Sequence, residues 1–254
     1  NSKISEEQWR QNLQAYQASR YLEARMQYEQ LASELSNILT RAYEAAPPAQ
    51  QASLLLAFLQ STNPDIRRTG ATIIHGQAMA AQPIPQEARE QLRSMISDSS
   101  REVRMAVANA LVATNDPAAF ESLLAQIQRE PDPAVRAALA GPIASIGDLR
   151  AVPALRKLLN EPSIGTASAG AAALRELGPA IRDKDPELAK EVAADLQAAL
   201  DRAQAVSGSL PLREAIAEAF IPLREPTVMP TLYKLLQDRN SARIRWAALR
   251  ALGE

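Results

Sequence analysis

From residue 49 onward, apolar positions recur at three- and four-residue spacing, the period of a helix that buries one face. Two alternating registers can be told apart. One holds Leu55, Leu56 and Leu59; Leu92, Met95 and Ile96; Phe120, Leu123, Leu124 and Ile127; Leu155, Leu158 and Leu159; and Leu232, Leu235 and Leu236. The other opens on an apolar residue followed by Arg: Ile66-Arg67, Val103-Arg104, Val135-Arg136, Leu212-Arg213 and Ile244-Arg245. Small or aliphatic residues follow three and six positions past the Arg, as at Val107 and Ala110, Ile216 and Ala219, and Ala248 and Ala251. Polar turns separate the registers, among them Asn63-Pro64-Asp65, Asp98-Ser99-Ser100, Glu130-Pro131-Asp132-Pro133 and Asp238-Arg239-Asn240-Ser241. Asp, Asn and Ser there can cap the next helix, and Pro fits its first turn. The pattern predicts a helix–turn–helix unit, repeated.

The repeat shows most directly in two segments 77 positions apart: Val152-Pro153-Ala154-Leu155-Arg156-Lys157-Leu158-Leu159 and Met229-Pro230-Thr231-Leu232-Tyr233-Lys234-Leu235-Leu236. Val135 and Leu212 share that offset, so the unit is about 38 or 39 residues long. Pro153 and Pro230 read as bends within apolar helices. The unit starting near Ile164 departs from the pattern, because Gly165 stands where the Arg is expected. Residues 165–173 are almost free of side chains, which reads as a tightly packed helix or as a shallow place for a partner's backbone. A longer first helix, 186–206, and a turn at Ser207-Gly208-Ser209 follow.

Asp132-Pro133-Ala134-Val135-Arg136, residues 241–253 and residues 148–155 resemble HEAT repeats, in particular the HEAT-like subclass of phycobilisome lyases. The resemblance covers roughly 49–254 in six units, whose second helices begin near Ile66, Val103, Val135, Ile164, Leu212 and Ile244. It implies an all-α, right-handed α-α superhelix with the second helices on the concave side. It also implies that Arg67, Arg104, Arg136, Arg213 and Arg245 form a structural ladder tying adjacent units, with Asp65, Asp98, Asp132 and Asp238 as candidate acids. A ligand-binding row of arginines is the alternative.

Residues 1–46 do not carry the repeat and form a separate helical extension before a solenoid at 47–254. Ser5, with Gln8 three residues on, marks a helix start. The stripe Trp9, Leu13, Tyr16, then Tyr28, Leu31, Leu35, Ile38 and Ala42 ends in heptad-like spacing. Such a helix either caps the first repeat or serves as a coiled-coil arm. Four of the five tyrosines lie here, which makes 5–46 a candidate for self-association.

Composition narrows the chemistry. Aromatic residues make up 4% of the chain against 46% hydrophobic, which suits thin helix-on-helix packing rather than one thick core. The formal net charge of −1 and the lack of a basic run disfavour nucleic acid. The absence of cysteine removes disulfides, thiolate nucleophiles and Cys-based metal sites. His75 is the single histidine, so neither a His-based metal site nor the several His-Glu pairs of deoxyhypusine hydroxylase-like HEAT enzymes can be built; it reads as structural. No stretch of about 20 apolar residues suggests a membrane span. Asn1 and the ending directly after a helix at Gly253-Glu254 suggest a chain cut from a longer or processed protein.

The expectation is therefore a non-catalytic scaffold that needs no cofactor and no metal and binds a protein or peptide. Candidate contacts are Arg68, Asn109, Glu214, Glu218, Trp246 and Arg250 on the second helices, and Trp9, Tyr16 and Tyr28 on the N-terminal helix. A HEAT-like enzyme of the bilin-lyase or DNA-glycosylase kind is the competing reading.

Overall fold

A computed structural model describes residues 6–253, without the side chains of Glu6, Gln8, Trp9 and Asn12. The proposed Ser5–Gln8 start and the side chain of Trp9 thus lie outside the described residues. Within them the chain is α-helical, with short 3₁₀ turns and no strand. The helices are α1 (Glu6–Ala45), α2 (Pro48–Leu59), α3 (Pro64–Met79), α4 (Gln86–Ser94), α5 (Arg101–Thr114), α6 (Phe120–Arg129), α7 (Pro133–Ser145), α8 (Val152–Leu159), α9 (Ile164–Lys184), α10 (Pro186–Gln204), α11 (Leu210–Leu223), α12 (Met229–Leu235) and α13 (Ala242–Gly253). From α2 on they pair into the six expected units.

The turns cap as their residue types suggest. Asn63 accepts from the Asp65 N–H, Ser100 from Val103, Asp132 from Ala134 and Val135, and Ser163 from Thr166. Each such cap contributes on the order of 1 kcal/mol. The second helices α3, α5, α7, α9, α11 and α13 pack one against the next as a continuous layer, and the first helices lie behind them. One apolar core runs between the two layers.

Pro153 and Pro230 do not bend a helix. They stand in the first turns of α8 and α12, directly after the 3₁₀ turns Leu149–Ala151 and Pro226–Val228. A first turn has no use for the amide hydrogen that Pro lacks, so these residues start helices. Interior prolines occur instead in second helices, at Pro142, Pro179 and Pro222.

The small-residue segment of α9 is tightly packed. Thr166, Ala167, Gly170, Ala171 and Ala173 are buried. A Cβ on Gly170 would lie 2.7 Å from the Leu159 backbone nitrogen, and one on Gly178 would lie 2.6 Å from Pro222 Cγ. Only glycine permits those approaches of α9 to α8 and α11.

The two halves of α1 differ. From Tyr28 on it runs beside α3 in the same direction, in the place a preceding second helix would take. Tyr28 Oη donates to Asp65 (2.5 Å), Thr69 Oγ1 bonds Ser36 Oγ (3.1 Å), and Gln77 Nε2 donates to Tyr43 Oη (2.7 Å). The seated face is Tyr28, Ala32, Ser36, Leu39 and Tyr43, which shares Tyr28 with the expected stripe and then runs one residue past it. Leu31 and Ile38 are 65% and 64% exposed. The small Ala32 and Ser36 let α3 approach, which turns the heptad-like residues outward. Before Tyr28 every described side chain is exposed, including Leu13, Tyr16, Tyr21, Leu22 and Met26. That part projects by about 30 Å at ~1.5 Å per residue.

Deleting residues 1–27 is expected to leave the thermal midpoint unchanged, whereas deleting 1–46 uncovers α3 and lowers it by about 4 °C or more. Circular-dichroism melts of both truncations test the seat; equal midpoints would refute it.

Candidate functional site

The five ladder arginines stand at one structural position, at the turn edge of the stack. Arg67 donates to both oxygens of Asp98 (2.8 Å each) and to the carbonyls of Ser61 (2.9 Å) and Thr62 (3.0 Å). Arg104 repeats this on Glu130 (2.8 Å each) and on the carbonyls of Asp98 and Ser99. Arg136 does so on Glu161 (2.9 and 2.6 Å) and on the carbonyls of Glu130 and Pro131. Arg213 pairs with Asp238, and Arg245 reaches the Asp238 carbonyl at 2.8 Å. Each full rung thus joins the turn of its own unit to a carboxylate in the turn of the next.

Two of the expected acids do other work. Asp132 caps α7 and pairs with Arg101 (2.6 Å); Asp65 accepts from Tyr28 and faces Arg68 at 3.5 Å. Glu130 and Glu161 take their places. The rung acid stands two residues before the cap at Asp98, Glu130 and Glu161, and three before Ser241 at Asp238. There it faces the previous unit, and a capping side chain is already spent on its own helix. Burial works to raise the carboxyls of Asp98 and Glu130. Hydrogen bonds from Arg67 and the Ser100 N–H, and from Arg104, Gln126 and the Asp132 N–H, outweigh it and hold both below the usual range. Asp238 is held low in the same way, against burial, by the Asn240 and Ser241 N–H groups and Arg213.

The outer surface of the second helices carries side chains that no repeat contact requires. Arg68 and Asn109, with Thr72, His75, Arg101 and Met105, line a shallow cavity of about 300 Å³ between α3 and α5. His75 Nδ1 lies 3.1 Å from the Asn109 carbonyl, so the histidine bridges the two helices. Near the other end, Arg175, Glu218, Pro222, Arg243, Trp246 and Arg250 line a second concavity of about 320 Å³. Glu218 is not an exposed member of the row. It is 7% exposed and bonded by Arg175 (2.5 Å) and Arg243. Glu214 is half-buried, accepts from Ser241 Oγ (2.6 Å) and faces Arg243 at 3.8 Å. Trp246 is 52% exposed, with the Arg250 guanidinium 5.2 Å from its ring centre.

Tyr16 stands on the projecting part of α1, while Tyr28 is a seat contact. Arg175 was missed by sequence reasoning, although the helical period carried beyond the small-residue segment places it on the same surface. Among the described residues no group of three or more His, Asp or Glu is arranged to hold a metal ion, and no helix is long and apolar enough to cross a membrane.

Comparison with known proteins agrees with this geometry. The family model of HEAT repeats matches residues 52–141, and that of the PBS lyase HEAT-like repeat matches 135–161. One engineered protein of known structure is 18% identical, with a TM-score of 0.58, over 80% of this chain and 95% of its own. A second is 19% identical, with a TM-score of 0.59, over 87% of this chain and 62% of its own. The CpcE–CpcF complex of phycocyanin lyase from a Nostoc species is a looser match, 16% identical with a TM-score of 0.48, over 85% and 79% of the two chains. No curated protein matches the sequence significantly.

Arg136→Ala removes the donor to Glu161 and to two turn carbonyls. It is expected to cost about 2 kcal/mol while leaving the helix content intact, as read by urea denaturation; an unchanged midpoint would remove Arg136 from the framework. The depressed carboxyls carry a pH dependence of defined sign. Their stabilisation is complete above the unfolded-state values of about 4 and is lost as pH falls through the lower folded-state values. Glu130→Gln is therefore expected to be less stable than wild type at neutral pH and to lose less on acidification from pH 5 to 3. Parallel urea titrations at the two pH values would expose a failure of that convergence.

Proposed function

We propose that this HEAT-like repeat protein is a non-catalytic scaffold that binds a protein or peptide across its second-helix face, with the projecting part of α1 as a further contact. The observation that carries the reading is the half-exposed Trp246 under Arg250. It stands beside Arg175 and Arg243, which are held in place by the buried Glu218. Trp and Arg are the residue types on which binding energy concentrates, and a rigid setting lowers the cost of ordering them. The surrounding charges alternate in sign, which suits a polypeptide with matching charges better than a polyanion. The resemblance to HEAT repeats implies that this face is the concave side of the superhelix, where an extended partner can touch several units at once.

Affinity capture with mass spectrometry, wild type against Trp246→Ala, tests the proposal. A stable protein partner is expected, with binding to the variant weakened about thirtyfold, as for a hot-spot tryptophan, at unchanged melting temperature. A co-purifying pigment or nucleic acid, or equal capture by both forms, would overturn it.

A further inference from the structure

The ladder breaks at one joint, and it breaks from both sides. Each ladder arginine stands four residues after its cap, as Arg104 after Ser100 and Arg136 after Asp132, with its N–H on the cap carbonyl. At the joint between the fourth and fifth units that place, four after Ser163, holds Ala167 and not the expected Gly165, which stands two residues earlier in the first turn of α9. The acid belongs two residues before the cap of the next second helix: Asp98 before Ser100, Glu130 before Asp132, Glu161 before Ser163. Before Ser209, the corresponding residue of α11, that place holds Ser207. Neither half of the rung is present.

A cavity of about 240 Å³ opens at this joint, lined by Leu159, Ile164, Ala199, Ala203 and Leu212, with Val206 half-exposed at its mouth. A guanidinium at position 167 would reach it. The other rungs bond carbonyls five and six residues before the arginine, here those of Pro162 and Glu161, both of which line the cavity. The rim is charged unevenly. Glu161 is already held by Nε and Nη2 of Arg136. Arg202 is exposed and bonds only the neutral side chain of Asn160, so among the described residues its charge meets no carboxylate.

We propose that this joint is a binding site for a peptide segment that inserts one large apolar side chain beside an Asp or Glu. The cavity is smaller than the ~300 Å³ at which small-molecule and cofactor sites begin, so it suits a single side chain. Its walls are aliphatic, and the unneutralised Arg202 at the rim selects an acidic neighbour. The site lies on the turn edge, away from Trp246 and Arg250, and does not depend on binding across the second-helix face.

The test fills the gap. The Ala167 N–H bonds the Ser163 carbonyl as the Arg136 N–H bonds that of Asp132, so Ala167→Arg puts a guanidinium at the ladder position, and adding Ser207→Glu supplies the missing acid. The probe is a fluorescein-labelled Gly/Ser peptide with a central Phe-Glu pair, followed by polarisation and by methyl NMR of Ile164, Val206 and Leu212. Wild type is expected to bind it, with shifts confined to those methyls. Replacing Phe by Ala should weaken binding at least tenfold. Glu to Lys in the peptide, or Arg202→Gln in the protein, should weaken it about threefold to tenfold. The double variant should lose binding and melt no lower than wild type. Equal binding of the Phe and Ala peptides, absent methyl shifts, or undiminished binding by the folded double variant would each overturn the proposal. So would self-association abolished by the double variant, which assigns the joint to the α1 arm of a second copy. Should the double variant not fold, the wild-type methyl shifts and the peptide pair decide the matter.

Discussion

Each complete joint between repeats rests on one guanidinium that faces two turns at once. A helix pair this thin buries its apolar face only against its neighbours, so the angle between neighbours decides whether the core closes. Arg67, Arg104 and Arg136 set that angle with a planar fork that grips a carboxylate on one side and turn carbonyls on the other. Lysine, with a single point charge, would hold neither geometry. The carboxylates of Asp98 and Glu130 are nearly dry, that of Glu130 entirely so, and both accept further hydrogen bonds that offset the cost of burying charge.

Consuming the turn-edge arginines in this way leaves the chemistry of the molecule elsewhere. The core is built mainly from Ala, Leu, Ile and Val, which allow the second helices to approach closely, with Phe58, Phe120 and Phe220 buried among them. Trp246 and most of the tyrosines of α1 sit outside the stack or at its end, where folding does not require them. The exceptions are informative: Tyr43 is buried with its hydroxyl satisfied by Gln77, and Tyr28 has its hydroxyl on Asp65. Those two belong to the seat of α1. Tyr16, Tyr21 and Trp246 have no such duty.

The repeat was legible because its signal is doubled: an apolar-Arg step and a polar turn at a fixed offset cannot both recur without a common structure. The identity of the rung acid was not, because a turn such as Glu130-Pro131-Asp132 offers two carboxylates, and only the backbone shows which one caps. The face of α1 was misread by one residue for a related reason. A heptad-like stripe and a 3.6-residue face start together and then drift apart, and the small residues Ala32 and Ser36, which decide the contact, carry almost no hydrophobic signal. Glu218 looked exposed because its partner Arg175 lies 43 positions away on another unit. Local patterns find helices and caps, whereas pairings across units depend on how the stack closes.

The broken rung shows what an ion pair does that packing cannot. Where the arginine and its acid are both missing, the helices are longer: α9 has 21 residues and α10 has 19, against 7 to 16 in the other repeat helices. Gly170 and Gly178 bring α9 against α8 and α11 closely enough that any side chain would collide. Apolar contact along the helices thus substitutes for charge at the turns, an exchange that costs little stability. The two solutions are not equivalent in shape. A guanidinium fills the turn edge where it sits, while contact spread along the helix bodies leaves that edge hollow. Holding the fourth and fifth units together without a rung therefore creates a concavity at the one joint where the repeat departs from its own rule.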